Sequence, residues 1–283
     1  MANYTAADVK KLREDTDAPM MECKQALDES DGDLERAKEI LREKGKAAAS
    51  KRADRATSEG VVAVSTSSDN KTVGAVVLES ETDFVARNED FIAIAQQLAD
   101  IFRDNDPGSD PTAVKSGGQS VGEIVEAAVA KIRENIRLTK AVRVTTDNLL
   151  STYVHHDRKK GAIVEVKGDA TNAVEIGRSM AIQSIALPPK FVTRDEVPQD
   201  FIDKEIEIET KRAIDEGKDE KIAKNIAQGR VNKEFMKSNV LLEQPLYKDM
   251  SKSVGDYLKE EAKNGGGTIN ILKLTRLAVG EGD

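Results

Sequence analysis

The sequence predicts an α+β protein. A three-helix module opens the chain, a linker follows, and the core has two related subdomains, each with a three-stranded antiparallel sheet and helices. An antiparallel helical hairpin is inserted into the second subdomain. Three observations carry this. The first 45 residues show only helical periodicity. The order strand, turn, strand, helix, helix, strand occurs twice after Gly60, and each such sheet must cover an apolar face. A dense, polar, helix-patterned stretch interrupts the second repeat. The expected boundaries are 1–45 for the module, 46–58 for the linker and 59–147 for the first subdomain. The second subdomain spans 148–187 and 246–283, with the hairpin at 188–245.

Taken in order, Thr5 and Asp8 read as a capping box for a first helix with Val9 and Leu12 on its apolar face. "DAPMMECKQAL" turns into a second helix. "SDGD" is a turn whose Asp33 caps a third, with Leu34, Ala37, Ile40 and Leu41 on one side and Gly45 as its expected stop. Such a small module is marginal alone. "KAAASKRADRATS" reads as a basic tether, helical at most at its start, with a phosphate-binding arm as the other reading.

The first core unit starts with "GVVAVSTSSDNKTVGAVVLES", two strands around an Asp69-Asn70 turn. A helix follows with Phe91, Ile94, Ala95, Leu98 and Phe102 on one face. After the loop "DNDPGSDP" comes a second helix with Val121, Ile124, Val125, Ala128 and Ile132. It leads into a strand alternating Ile136, Leu138, Val142 and Val144. The second unit repeats this with "NLLSTYVHHDRKKGAIVEVKG", "NAVEIGRSMAIQSIAL", "SVGDYLKEEAK" and "GTINILKLTRLAV", and Gly74 and Gly161 hold matching places. Between Pro188 and Pro245, two polar helices hinge at Gly217. Ile202, Ile206 and Ala213 mark one arm, and Ile222, Ile226 and Phe235 the other. The hairpin reads either as self-contained or as a docking arm.

Composition limits the chemistry. The chain has 283 residues, a formal net charge of −8, 33% charged residues, 4% aromatics and no Trp. The acidic balance argues against a dedicated nucleic-acid binder. One cysteine, Cys23, allows no internal disulfide framework and reads as a small buried hydrophobe. No apolar run has the roughly 18 residues of a membrane span, and the N-terminus carries no secretory or transit pattern; a cytoplasmic location is expected. No phosphate-binding loop or G-x-G-x-x-G motif occurs, and "NGGG" at 264–267 precedes a strand rather than a helix. His155 and His156, adjacent on a strand-like run, are expected on opposite faces, unable to share a metal. No catalytic constellation, cofactor site or metal site is expected.

The junction "ETDFV", residues 81–85, stands between the buried-strand pattern "TVGAVVLES" and the helix pattern "NEDFIAIAQQLADIF". Locally, Thr82 or Asp83 caps a helix while Phe84 packs inward, or the pair Asp83–Phe84 forms an exposed tip offered to another protein.

Residues "VKKLREDTDAPMMECKQALDESDGDLERAKEILREKG", "SETDFVARNEDF", "AVAKIREN" and "VGEG", in this order over essentially the whole chain, resemble the bacterial elongation factor Ts family. The resemblance implies an exchange factor that binds the GTPase elongation factor Tu and promotes GDP release, with no chemistry of its own. It implies a ubiquitin-associated-like N-terminal module and a projecting coiled-coil hairpin. It implies that Asp83 and Phe84, within Thr82–Val85, enter the partner near its magnesium and phosphate site. Met20, Met21, Ile132, Asn135 and His155 match other positions near the partner. Neither direct nucleotide nor nucleic-acid binding is implied; a homodimer or heterotetramer is compatible. The family often has Gly where this chain has Asp17, Pro19 and Arg133. Many members carry a further partner-binding helix past "VGEG", a contact expected to be absent or replaced here, where the sequence reaches Asp283. The rival reading is an acidic ribosome- or nucleic-acid-associated adaptor using the basic 42–55 stretch and the helical arms.

Overall fold

The structure is a computed structural model describing residues 3–16 and 18–281, together with the backbone but not the side chains of residues 46, 48 and 49. Asp17 and Asp283, two positions named above, lie outside the described residues. The protein is α+β, and the chain divides into two compact units. One comprises Met1–Ser65, Val73–Val144 and Leu277–Asp283; the other comprises Thr66–Thr72 and Thr145–Arg276.

The first unit opens with helices α1 (Ala6–Thr16), α2 (Met20–Glu29) and α3 (Leu34–Arg52). The Thr5–Asp8 box forms: the Thr5 N–H and hydroxyl both donate to Asp8 Oδ2 at 2.8 Å, and the Asp8 N–H donates to Thr5 Oγ1 at 3.3 Å. Asp33 caps α3 by accepting from the Glu35 and Arg36 N–H groups. Leu12, Cys23, Ala26, Leu27 and Ala37 are fully enclosed between the three helices. The expected stop at Gly45 is not a stop, because α3 runs through it to Arg52. Two causes act together. The residues that follow include a run of alanines, the best helix former. Gly45 also faces α6, where an added Cβ would stand 3.1 Å from that of Ala130, so the bare backbone serves a close helix–helix approach.

Strands β1 (Glu59–Thr66) and β2 (Thr72–Ser80) meet at the Asp69-Asn70 turn, where Asn70 takes a positive φ of 56°. Helix α4 (Asp83–Ala86) is a single turn, and α5 (Glu89–Asp104) follows. The short strands β3 (Lys115–Ser116) and β4 (Gln119–Ser120) pair as a hairpin before α6 (Val121–Ile132) and β5 (Ile136–Thr145). The sheet order β1-β2-β5 puts β2 in the centre. Phe91, Ala95, Leu98 and Phe102 of α5 and Val121, Ile124 and Ala128 of α6 close its apolar face, as their helical spacing predicts.

The second unit holds β6 (Leu149–Val154), β7 (Lys160–Lys167) and α7 (Ala173–Ala186). Helices α8 (Gln199–Asp215), α9 (Glu220–Arg230) and α10 (Met236–Asn239) come next, then β8 (Pro245–Leu246), β9 (Asp249–Ser253), α11 (Val254–Asn264) and β10 (Asn270–Ala278). The sheet order is β10-β7-β6, again with the second strand of the repeat in the centre, and β6 pairs β7 antiparallel from Leu149↔Val166 to Val154↔Gly161. Ile176 and Met180 of α7 and Val254 and Leu258 of α11 pack in its core.

Helices α8 and α9 form the hairpin about Gly217, whose φ is 84°. Its second arm buries Ala223, Ala227 and Val231, whereas Ile222 is exposed, contrary to the expected stripe. Ala213 of α8 is buried as well; small side chains buried on both arms suit a close approach, and Ile222 is turned out. Arg230 ties the arms, reaching Glu216 at 2.6 Å and Glu209 at 3.3 Å.

Candidate functional site

The strand-to-helix junction after β2 is fastened from several sides. Thr82, extended at φ −124° and ψ 154°, is the N-cap of α4 and accepts from the Val85 N–H. Its own N–H and hydroxyl donate to the two carboxylate oxygens of Glu134 at 3.0 and 2.7 Å. Ser80 donates to the Thr82 carbonyl at 3.1 Å. Val85 packs partly buried against the core, and Ala86 is buried. One α-helical residue advances about 100° around the axis, so a turn that seats Val85 and Ala86 inward points Phe84 outward. Phe84 is 83% exposed, more than any other large apolar residue among the described ones. Of the two local readings of "ETDFV", the capping half of the first holds and the inward Phe84 does not. Asp83 pairs with Arg87 one turn on, at 3.0 Å; the Arg87 side chain is exposed and that of Asp83 is half-buried.

The loop between α6 and β5 is the base of this tip. Helix α6 ends on Arg133 in the left-handed region, φ 69° and ψ 18°. The Arg133 guanidinium pairs with Glu22 of α2. Glu134 holds Thr82. The Asn135 N–H donates to Glu81 Oε1 at 2.6 Å, and its side-chain amide donates to the carbonyls of Arg55 at 2.6 Å and Ala53 at 3.3 Å. Asn135 is only 4% exposed, so it acts from inside, tying the end of α3 to the junction. Ile132 is half-buried against the first core. Met20 and Met21, directly before Glu22, are 52% and 65% exposed.

Thr82–Val85 and Ile132–Asn135 are therefore joined by side-chain bonds, and Glu22, next to Met20–Met21, is tied to the same loop, all within one unit. His155 belongs to the other unit. It lies just past β6, half-buried, with its Nδ1 3.1 Å from the Tyr153 hydroxyl. The expectation that His155 and His156 point apart is corrected: their ring centroids are 4.2 Å from each other. The alternation of a strand ends at Val154, and the two rings sit in the turn that the Arg158 N–H closes on the His155 carbonyl. Among the described residues no group of three or more His, Cys, Asp and Glu is placed to hold a metal ion. Burial raises the pKa of the Cys23 thiol, which suits a packing role rather than a nucleophile.

Nothing in the sequence singles out Glu22, Arg133 as a latch, or Glu134. Each is one charged residue among many, and no periodicity marks a pair 111 positions apart such as Arg133 and Glu22. The basic stretch 42–55 is less available than its composition suggests. Arg42 pairs with Glu123, Lys44 with Glu29 at 2.6 Å and Arg55 with Glu81 at 3.3 Å.

A braced turn that holds an aromatic ring in water has the make-up of a protein-docking surface. The comparisons with known proteins supply the family. The family model described as elongation factor TS matches residues 81–281. Elongation factor Ts of Chloroherpeton thalassium is 41% identical, with 99% of this chain and 100% of that protein covered. Those of Clostridioides difficile and Aquifex aeolicus are each 38% identical, covering 100% and 96% of this chain and 94% and 97% of theirs. The chain belongs to the elongation factor Ts family, a family of translation elongation factors. No helix among the described residues is long and apolar enough to cross a membrane.

Proposed function

We propose that this chain, in the cytoplasm, binds the GTPase elongation factor Tu and promotes its release of GDP, with Asp83 and Phe84 inserted as a wedge near the magnesium and phosphate site. The observation that carries the reading is Phe84, 83% exposed on a turn whose neighbours Val85 and Ala86 are anchored. A ring held in water by a braced backbone is prepared for a partner's pocket, because little ordering remains to be done on binding. Met20 and Met21 form a second apolar contact, suited by their flexibility to an irregular surface. Thr82, Val85, Ile132 and Asn135 support the tip from behind, and His155 is the candidate contact of the second unit.

Exchange is a coupling of binding free energies. Nucleotide and factor each weaken the other by the same ratio. Burying a Phe side chain contributes roughly 1.5–3 kcal/mol, and about 1.4 kcal/mol is a factor of ten. Phe84 alone thus accounts for about one to two decades. Asp83 adds electrostatic disfavour toward bound phosphate, moderated by its pairing with Arg87.

Release of a fluorescent GDP from elongation factor Tu, followed against rising factor concentration, tests this. Phe84→Ala is expected to lower the maximum rate by about tenfold or more, with a smaller effect on the half-saturating concentration. An unchanged maximum rate at saturation would overturn the wedge.

A further inference from the structure

We propose that Arg133 and Glu134 are positioning residues for exchange: a two-way clasp that sets Met20 and Met21 at a fixed offset from Asp83 and Phe84. This rests on the function proposed above and adds to it. The two neighbours reach in different directions. Arg133 takes Glu22, the residue after the exposed methionines, and Glu134 takes the N–H and hydroxyl of Thr82, the residue before the Asp83–Phe84 pair.

Arg133, like Arg158 at φ 57°, has left-handed backbone. Its φ of 69° lies in the left-handed region, which a glycine or asparagine occupies more readily than a long side chain. What distinguishes Arg133 is that its guanidinium reaches another element, at Glu22 of α2. The pair adds little stability. The Arg133 and Glu22 side chains are 49% and 42% exposed, and ion pairs in water contribute little to folding. What such a pair does supply is geometry, since it fixes one end of α2 to the turn that also fixes Thr82. Glu134 is the firmer half, because one carboxylate receives two hydrogen bonds from one residue. With both halves closed, two apolar contacts from distant parts of the sequence reach the partner already aligned, and the second does not have to be found after the first binds.

The experiment uses the full chain and the GDP-release assay. Arg133→Gly removes the latch and relieves the backbone at once. The expected result is a thermal midpoint no lower than the parent's together with a maximum release rate about two- to fivefold lower, the range an exposed pair supports. A residue that matters only for stability cannot give that combination. Glu22→Arg and Arg133→Glu are each expected to slow release similarly, and the double charge swap to return the rate to within about 1.5-fold of the parent. An Arg133→Gly rate equal to the parent's, or a swap no better than its singles, overturns the clasp. Phe84→Ala in the same series separates the two levels. If it slows release while Arg133→Gly does not, only the clasp falls; if neither slows it, the wedge falls and the clasp with it.

Discussion

Each sheet hands its central strand to a helix, and the two junctions are finished in different ways. After β2, Thr82 is held by Glu134 from the loop that leads into β5. After β7, the chain is held by the loop that leads into β10. Asp169 accepts from the Thr268 N–H at 2.8 Å and hydroxyl at 2.9 Å, the Thr171 N–H donates to the Gly265 carbonyl at 3.1 Å, and Gly168 passes so close that a Cβ would stand 1.9 Å from the Thr268 oxygen. Fastening to the loop before the third strand is thus common to both. The exposed aromatic is not. The second junction buries Ala170 and shows no larger apolar group than Val174, 37% exposed, at the start of α7. The fold has the fastening at both sites and completes one of them without a ring, so the fastening itself does not require Phe84.

The two junctions are expected to differ most in stability. Gly168→Ala drives a methyl group into backbone that cannot step aside, and a loss of about 3 kcal/mol is expected by urea unfolding. Phe84→Ala, by contrast, is expected to change unfolding free energy by less than about 0.5 kcal/mol while slowing exchange. Comparable losses from the two would return Phe84 to the core and remove the contrast.

A smaller effect at the second junction depends on pH. Hydrogen bonds from the Thr268 N–H and hydroxyl hold the Asp169 carboxyl below the usual carboxylate range. A carboxyl whose folded pKa is depressed adds stability above its unfolded value, about 3.9, and that contribution fades as pH falls through the lower, folded value. Asp169→Asn is therefore expected to be less stable than the parent at pH 7, with the gap narrowing on acidification below the unfolded value. Unfolding curves from pH 7 to pH 2 check it; a gap constant across that range contradicts the assignment.

Much of the architecture was legible because it rests on local rules. The Thr5–Asp8 and Asp33 caps, the apolar face of α5 and the Asp69-Asn70 turn each follow from residues within a few positions of one another. What the sequence left open depends on partners far along the chain. Gly45 reads as a stop until Ala130 of α6 is seen beside it. Ile222 reads as buried until the alanines of the hairpin bring its arms together. A Phe at a helix start faces in or out equally well by pattern, and only the seating of Val85 and Ala86 decides. The clasp was beyond reach for the same reason: in a chain with 33% charged residues, nothing local singles out Glu22, Arg133 and Glu134.

The most direct measurement observes the ring itself. With 4-fluorophenylalanine at position 84 alone, the fluorine resonance reports water contact through its shift between H2O and D2O. A full solvent response is expected in the free chain, where Phe84 is 83% exposed, and loss of that response in the nucleotide-free complex with elongation factor Tu. A fluorine that stays equally wet in a complex formed at saturating partner would contradict it.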